Sequence, residues 1–226
     1  QPFIQKMFFV HNRIHIIFLL VKLLLCKNRT FWKRLMIENS IGGPIPFFCY
    51  RFSSGNRIRQ VYHLKKFNDN TSVNLRKIKN VIEIGGGYGC MASIFNKINK
   101  NVNYFIFDTK EVCMLQYYYL NSLNIKASLK SKYKGTKLMY KLSDLQKISR
   151  INLRETLLIS NWALSEMPIS LRKSIISLVS KCDYFLISYQ NKFEKIDNNF
   201  YFHKFSSNLK SSIKSYFVEI KEMSFL

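Results

Sequence analysis

The chain has 226 residues, 47% of them hydrophobic and 15% aromatic, with a formal net charge of +23. That length holds one α/β domain with a real core plus an N-terminal extension, and the apolar content excludes a disordered chain. The positive excess would attract phosphate, but Lys and Arg are spread along the chain rather than gathered into a stripe, so nucleic acid is not the expected partner.

Met7 to Cys26 reads MFFVHNRIHIIFLLVKLLLC. Its apolar run is broken at His15 and Lys22, too short for the roughly 20 residues that span a bilayer. On a helix, Ile14, Ile17, Phe18, Val21 and Leu25 share one face and His15 and Lys22 another, which predicts a helix packed on the domain or on a partner subunit. Peripheral membrane contact through residues 7–26 is the second choice. No small-residue cleavage site follows, against a signal peptide. In Ile41 to Phe52 (IGGPIPFFCYRF), two glycines and two prolines forbid regular helix and imply a folded-over connector of the kind that lies across a cleft. Asn56 to Phe67 returns to helical spacing with Ile58, Val61, Tyr62 and Leu64 inward, and Asn68 to Asn80 is a polar linker. Residues 1–78 are thus an extension and connector, and 79–226 the α/β domain.

Val81 to Phe95 (VIEIGGGYGCMASIF) predicts strand, tight loop and helix, the helix running over Tyr88 to Lys100. Gly85, Gly86, Gly87 and Gly89 allow positive φ and close approach to a ligand. Glu83 stands inside an otherwise buried parallel strand, so it needs a cationic or hydrogen-bonding partner. Asn103 to Asp108 (NYFIFD) is a second strand ending in an acid about 20 residues beyond the loop, the separation of a ribose ligand. Lys110 to Leu123 is a helix, Lys137 to Leu142 a third strand, and Ser143 a cap for a helix with Asp144 in its first turn. Glu155 to Asn161 is the fourth strand, followed by WALSEMP; a helix spans Ile169 to Cys182 and a fifth strand Asp183 to Gln190. Phe200 to Phe205 and Ser215 to Ser224 are candidate last strands.

Five cysteines with no CxxC and no Cys/His zinc spacing read as buried, reduced thiols of a cytosolic protein, and no ligand cluster implies a metal. The absence of Gly-Lys-Ser/Thr excludes a P-loop, while Gly87-x-Gly89-x-x-Ala92 leaves a looser dinucleotide fingerprint open.

The pattern Glu83-x-Gly85-x-Gly87-x-Gly89 resembles motif I of the class I S-adenosylmethionine (SAM)-dependent methyltransferases. IGGPIP, the later IFD and LQYYYLN, and SNWALSEMP resemble one group within them, the sugar O-methyltransferases, over Ile41 to Gln190. Cys90-Met91 departs from the small or aliphatic pair expected after the glycines. The resemblance implies a Rossmann-like, doubly wound, mostly parallel seven-stranded sheet with its last strand antiparallel. It implies SAM as cofactor and methyl transfer to a hydroxyl of a sugar or glycan. Glu83, Gly85, Gly86, Gly87, Tyr88 and Gly89 would hold the methionyl part, Asp108 the ribose hydroxyls and Asp144 the adenine amino group, with Asn161 at the cofactor edge. Glu166 would be the general base, with His63 and His203 in reserve, in a cytoplasmic or membrane-peripheral enzyme that needs no metal. A nucleic-acid methyltransferase, an NAD-binding protein and an inactive scaffold remain as rivals.

Overall fold

The computed structural model describes residues 14–130, 135–150 and 152–209. The chain enters through α1 (His15–Leu24) and α2 (Arg29–Met36), turns through an antiparallel hairpin of β1 (Pro46–Phe47) and β2 (Tyr50–Ser54), and continues into α3 (Gly55–Thr71). Ser54 caps α3 by accepting from the Arg57 N–H at 3.1 Å. After a single 3₁₀ turn come β3 (Asn80–Ile84), α4 (Cys90–Ile98), β4 (Asn103–Phe107), α5 (Lys110–Ser122), β5 (Ala127–Ser128) and β6 (Thr136–Met139). Then follow α6 (Leu142–Ile148), β7 (Thr156–Asn161), α7 (Ala163–Glu166), α8 (Ile169–Val179) and β8 (Tyr184–Ser188). A second small hairpin, β9 (Lys192–Phe193) with β10 (Ile196–Asp197), leads into α9 (Asn198–Ser207).

Six of these strands form one sheet in the order β5-β6-β4-β3-β7-β8, every pair parallel. Side chains alternate between its faces. Val81, Tyr104, Ile106, Leu157 and Ile159 enter one core with α1 to α5, whereas Ile82, Ile84, Phe107 and Leu158 enter a second with α6, α8 and α9. Helices on both faces make the architecture doubly wound and Rossmann-like, as expected. The N-terminal helices share the first core with the sheet, and each fully buried Ile, Leu or Val there contributes roughly 1.5–3 kcal/mol. The predicted antiparallel last strand, Ser215 to Ser224, lies outside the described residues.

Several expectations are corrected. In α1, Ile16, Leu19, Leu20 and Leu23 are buried, with His15 beside them, while Ile14, Phe18, Val21 and Leu25 are exposed. The helix is apolar on both sides, so spacing alone picked the wrong face. Phe200 to Phe205 is helix, not strand: Asp197 caps α9 by accepting from the Phe200 N–H at 2.9 Å, and Phe202 stacks on Tyr189 with ring centres 4.5 Å apart. Tertiary packing here overrides the strand preference of aromatic residues. Ser143 lies inside α6, whose cap position is Lys141, with no side-chain capping bond. The Ile41 to Phe52 connector contains β1 and the start of β2, and the polar linker carries the end of α3 and the 3₁₀ turn. Cys90, Cys113 and Cys182 are buried as expected, but Cys49 is exposed and Cys26 half-buried. Among the described residues no helix is long and apolar enough to cross a membrane.

Candidate functional site

The strand order reverses between β3 and β7, and a doubly wound sheet binds ligands outside the carboxyl ends of its strands at such a reversal. Three segments meet there: the glycine loop after β3, Asp108 after β4 and residues 162–163 after β7. Gly85, Gly87 and Gly89 have φ of +76°, +54° and +100°, the left-handed region that favours glycine. The loop is tied to the next strand by the Gly85 N–H, which donates to the Phe107 carbonyl at 2.9 Å. Neighbouring side chains fill the space that the missing Cβ atoms leave. A Cβ on Gly85 would stand 2.1 Å from the Ala163 Cβ, one on Gly86 2.7 Å from Ile106 Cγ2, and one on Gly89 3.3 Å from Leu120. The glycine run and the SNWALSEMP stretch are therefore one packed unit.

Asp108 sits at the edge of this unit, half-buried. Its Oδ1 accepts from the Thr109 N–H at 2.8 Å and its Oδ2 from Gln116 Nε2 at 3.1 Å. Burial raises its pKa, and the N–H groups of Thr109, Gly87 and Gly86, with the Gln116 amide, act to lower it. Gln116, fully buried on α5, also donates to the Gly87 carbonyl at 2.9 Å. The helical spacing of Cys113, Gln116 and Leu120, all buried, shows why a glutamine there reaches the loop.

The partner that Glu83 requires is Tyr104, whose hydroxyl donates to Oε2 at 2.8 Å. Only 3% of Glu83 is exposed. Burial pushes its pKa up to about 8, Tyr104 opposes the rise and the charge of Asp108 adds to it, so the carboxyl is neutral at pH 7. The acid lies beneath the loop, its Oε2 3.2 Å from where a Gly86 Cβ would stand. Tyr88 turns its ring into the core, edge-on to Tyr119 at 4.9 Å, and accepts from Asn56 Nδ2 at 3.3 Å, so any contact it makes with a ligand falls to its backbone.

A second polar cluster lies across the reversal. Asn161, ending β7, donates to Gln60 Oε1 at 2.5 Å; Ser188, ending β8, donates to Asn161 Oδ1 at 2.8 Å and lies 3.1 Å from His63 Nδ1. With the Ser188 hydrogen committed to Asn161, Nδ1 of His63 carries the proton. Burial and the nearby Arg59 charge lower the His63 pKa to about 3, against a hydrogen bond with Asn161. Next to Asn161, Trp162 adopts φ of +77°, a strained conformation for so large a residue, with the Arg59 guanidinium 5.4 Å from its ring centre.

Of the residues expected at the site, Glu83, the glycines and Asp108 come together, and Asn161 and His63 form the second cluster. Asp144 pairs instead with Lys147 at 2.9 Å. Glu166 is exposed at the end of α7, one helical turn beyond Ala163, and His203 is exposed on α9. Cys90 is buried and its pKa is pushed up to about 12, which makes it an inert thiol. Gln116, Tyr104, Ser188 and Arg59 were not expected. A lone Gln or Tyr on an apolar face carries no recognisable spacing, and only the fold brings these four against the expected residues.

The sequence matches no protein-family model and no curated protein sequence. Solved structures are similar to it in fold. One is a proposed RNA methyltransferase from Pyrococcus horikoshii, at 14% identity and TM-score 0.48, covering 81% of this chain and 79% of that one. Another is a proposed sarcosine dimethylglycine methyltransferase from Galdieria sulphuraria, at 13% identity and TM-score 0.40, covering 55% and 44%. The O-methyltransferase NcsB1 of neocarzinostatin biosynthesis, solved with SAM and 2-hydroxy-5-methyl naphthoic acid, matches at 10% identity and TM-score 0.38, covering 54% and 35%. The chain thus spans less than half the length of the last two structures.

Proposed function

We propose that the protein is a SAM-dependent O-methyltransferase acting on a hydroxyl of a sugar or glycan. The observation that carries the cofactor reading is the convergence of the Asp108 carboxylate with the Gly86 and Gly87 amides at the sheet reversal. An acceptor carboxylate tied to the glycine loop, beside the N-terminal first turn of α4, suits a ribose diol joined to an anionic amino-acid end. The sugar acceptor rests on the resemblance of the IGGPIP and SNWALSEMP stretches.

SAM bound there would supply a sulfonium methyl group already activated by its positive charge. Asp108 would accept from the ribose hydroxyls, and the first turn of α4, which has no side-chain cap, would offer backbone N–H groups to the carboxylate end. Alignment of the acceptor hydroxyl is then the chief task of the protein. His63, held neutral with a pKa near 3, is a poor proton acceptor at pH 7 and is better suited to orienting Asn161 through Ser188. The solvent-open carboxylate of Glu166, one turn from the Ala163–Gly85 contact, is the proposed base. Glu166→Gln should keep cofactor affinity and lose turnover; full turnover in that variant would remove the assignment.

A thermal-shift screen against SAM, S-adenosylhomocysteine and NAD tests the reading. Stabilisation by the two adenosyl compounds alone supports it. Stabilisation by NAD alone would favour a dinucleotide site, and none by any of the three would leave a scaffold without this cofactor.

A further inference from the structure

We infer that Gln116 is a positioning residue that holds the Asp108 carboxylate against the glycine loop, fixing the edge it presents to a ribose diol. The inference rests on the adenosyl reading of the site. One amide nitrogen serves two acceptors on different segments, the Gly87 carbonyl at 2.9 Å and Asp108 Oδ2 at 3.1 Å. Both partners are acceptors, so the amide can point only one way: a flip would set Oε1 against two oxygens. The orientation has a cost, because the buried Oε1 then has no hydrogen-bond partner. The fold tolerates an unpaired carbonyl to keep the nitrogen where it is. Asp108 has no cation paired with it among the described ion pairs, so its neutral donors set its orientation. Of these, the Thr109 and glycine donors are backbone, and Gln116 is the one side chain that substitution can remove.

Two ligands separate positioning from a structural role: S-adenosylhomocysteine and its 2′,3′-dideoxy analogue, which lacks the hydroxyls that Asp108 would receive. Calorimetry on the full chain should show wild type binding the parent compound more tightly. Gln116→Met should weaken the parent by about ten-fold, the worth of one bond to a charged group, and leave the dideoxy analogue nearly unchanged. In an Asp108→Asn background the same change should have little further effect. Gln116→Leu, which likewise removes the donor, should give the same selective loss, and a melting temperature close to wild type in either variant guards against a folding defect. Equal weakening for both ligands, or unaltered affinity for both, overturns the role of Gln116 while leaving the adenosyl site standing. No binding of either compound by wild type overturns the adenosyl reading itself, and this inference with it.

Discussion

Ala163 presses its methyl group onto Gly85, so closely that a side chain at Gly85 would begin 2.1 Å from the Ala163 Cβ. The contact joins the turn after β3 to the turn after β7 across the point where the sheet changes direction. It fixes the spacing between the glycine loop and the polar cluster at Asn161. Gly85→Ala should therefore destabilise the fold by about 3 kcal/mol or more, through both the clash and the positive φ. Adding Ala163→Gly should return only the part due to the clash, since φ at position 85 stays at +76°. Chemical denaturation of the two variants and wild type separates the terms. A Gly85→Ala protein as stable as wild type would mean that the turns are not in contact.

Glu83 gives a pH dependence of definite sign. Its folded pKa, raised to about 8, stands above the ordinary carboxylate value of 4.5, so the folded chain keeps a proton that the unfolded chain releases. Its contribution is fully present below pH 4.5 and is lost as pH rises through 8. Glu83→Gln keeps the hydrogen bond from Tyr104 without the titration, and should flatten the stability profile between those limits. An unchanged slope in urea titrations across that range would contradict a neutral Glu83.

His63 acts in the opposite direction. With a folded pKa near 3, below the ordinary 6.5, the unfolded chain takes up the proton first. Stability should fall by roughly 1.4 kcal/mol for each pH unit between about 6.5 and 3 as the solution is acidified. His63→Gln should remove that slope. A wild-type melting temperature that does not change from pH 7 to pH 5, once the other groups are matched by the variant, would show that His63 is not held neutral.

Much of this architecture is legible in the chain itself. The strand at β3, the glycine loop and the strand at β4 follow from short apolar runs that stop at glycine or at an acid, and the need of Glu83 for a partner follows from the cost of an unpaired buried carboxylate. The inward face of α3 also follows, because Ile58, Val61, Tyr62 and Leu64 have polar neighbours on the other side. α1 has no such contrast: both of its faces are apolar, and only packing chooses between Leu19 and Phe18. α9 illustrates the limit for aromatic runs, since Phe200 to Phe205 suits a strand until Asp197 caps a helix and Tyr189 receives Phe202. Gln116 and Ser188 lie beyond sequence reading because each acts on a residue that is distant along the chain or on another strand.

The most direct test is calorimetric titration of S-adenosylhomocysteine into wild type and Asp108→Ala. Saturable binding by wild type at one site per chain, lost or weakened at least ten-fold in Asp108→Ala with the melting temperature preserved, is the predicted result. Binding of equal strength to both proteins, or no binding to wild type, would contradict an adenosyl site built on Asp108 and the glycine loop.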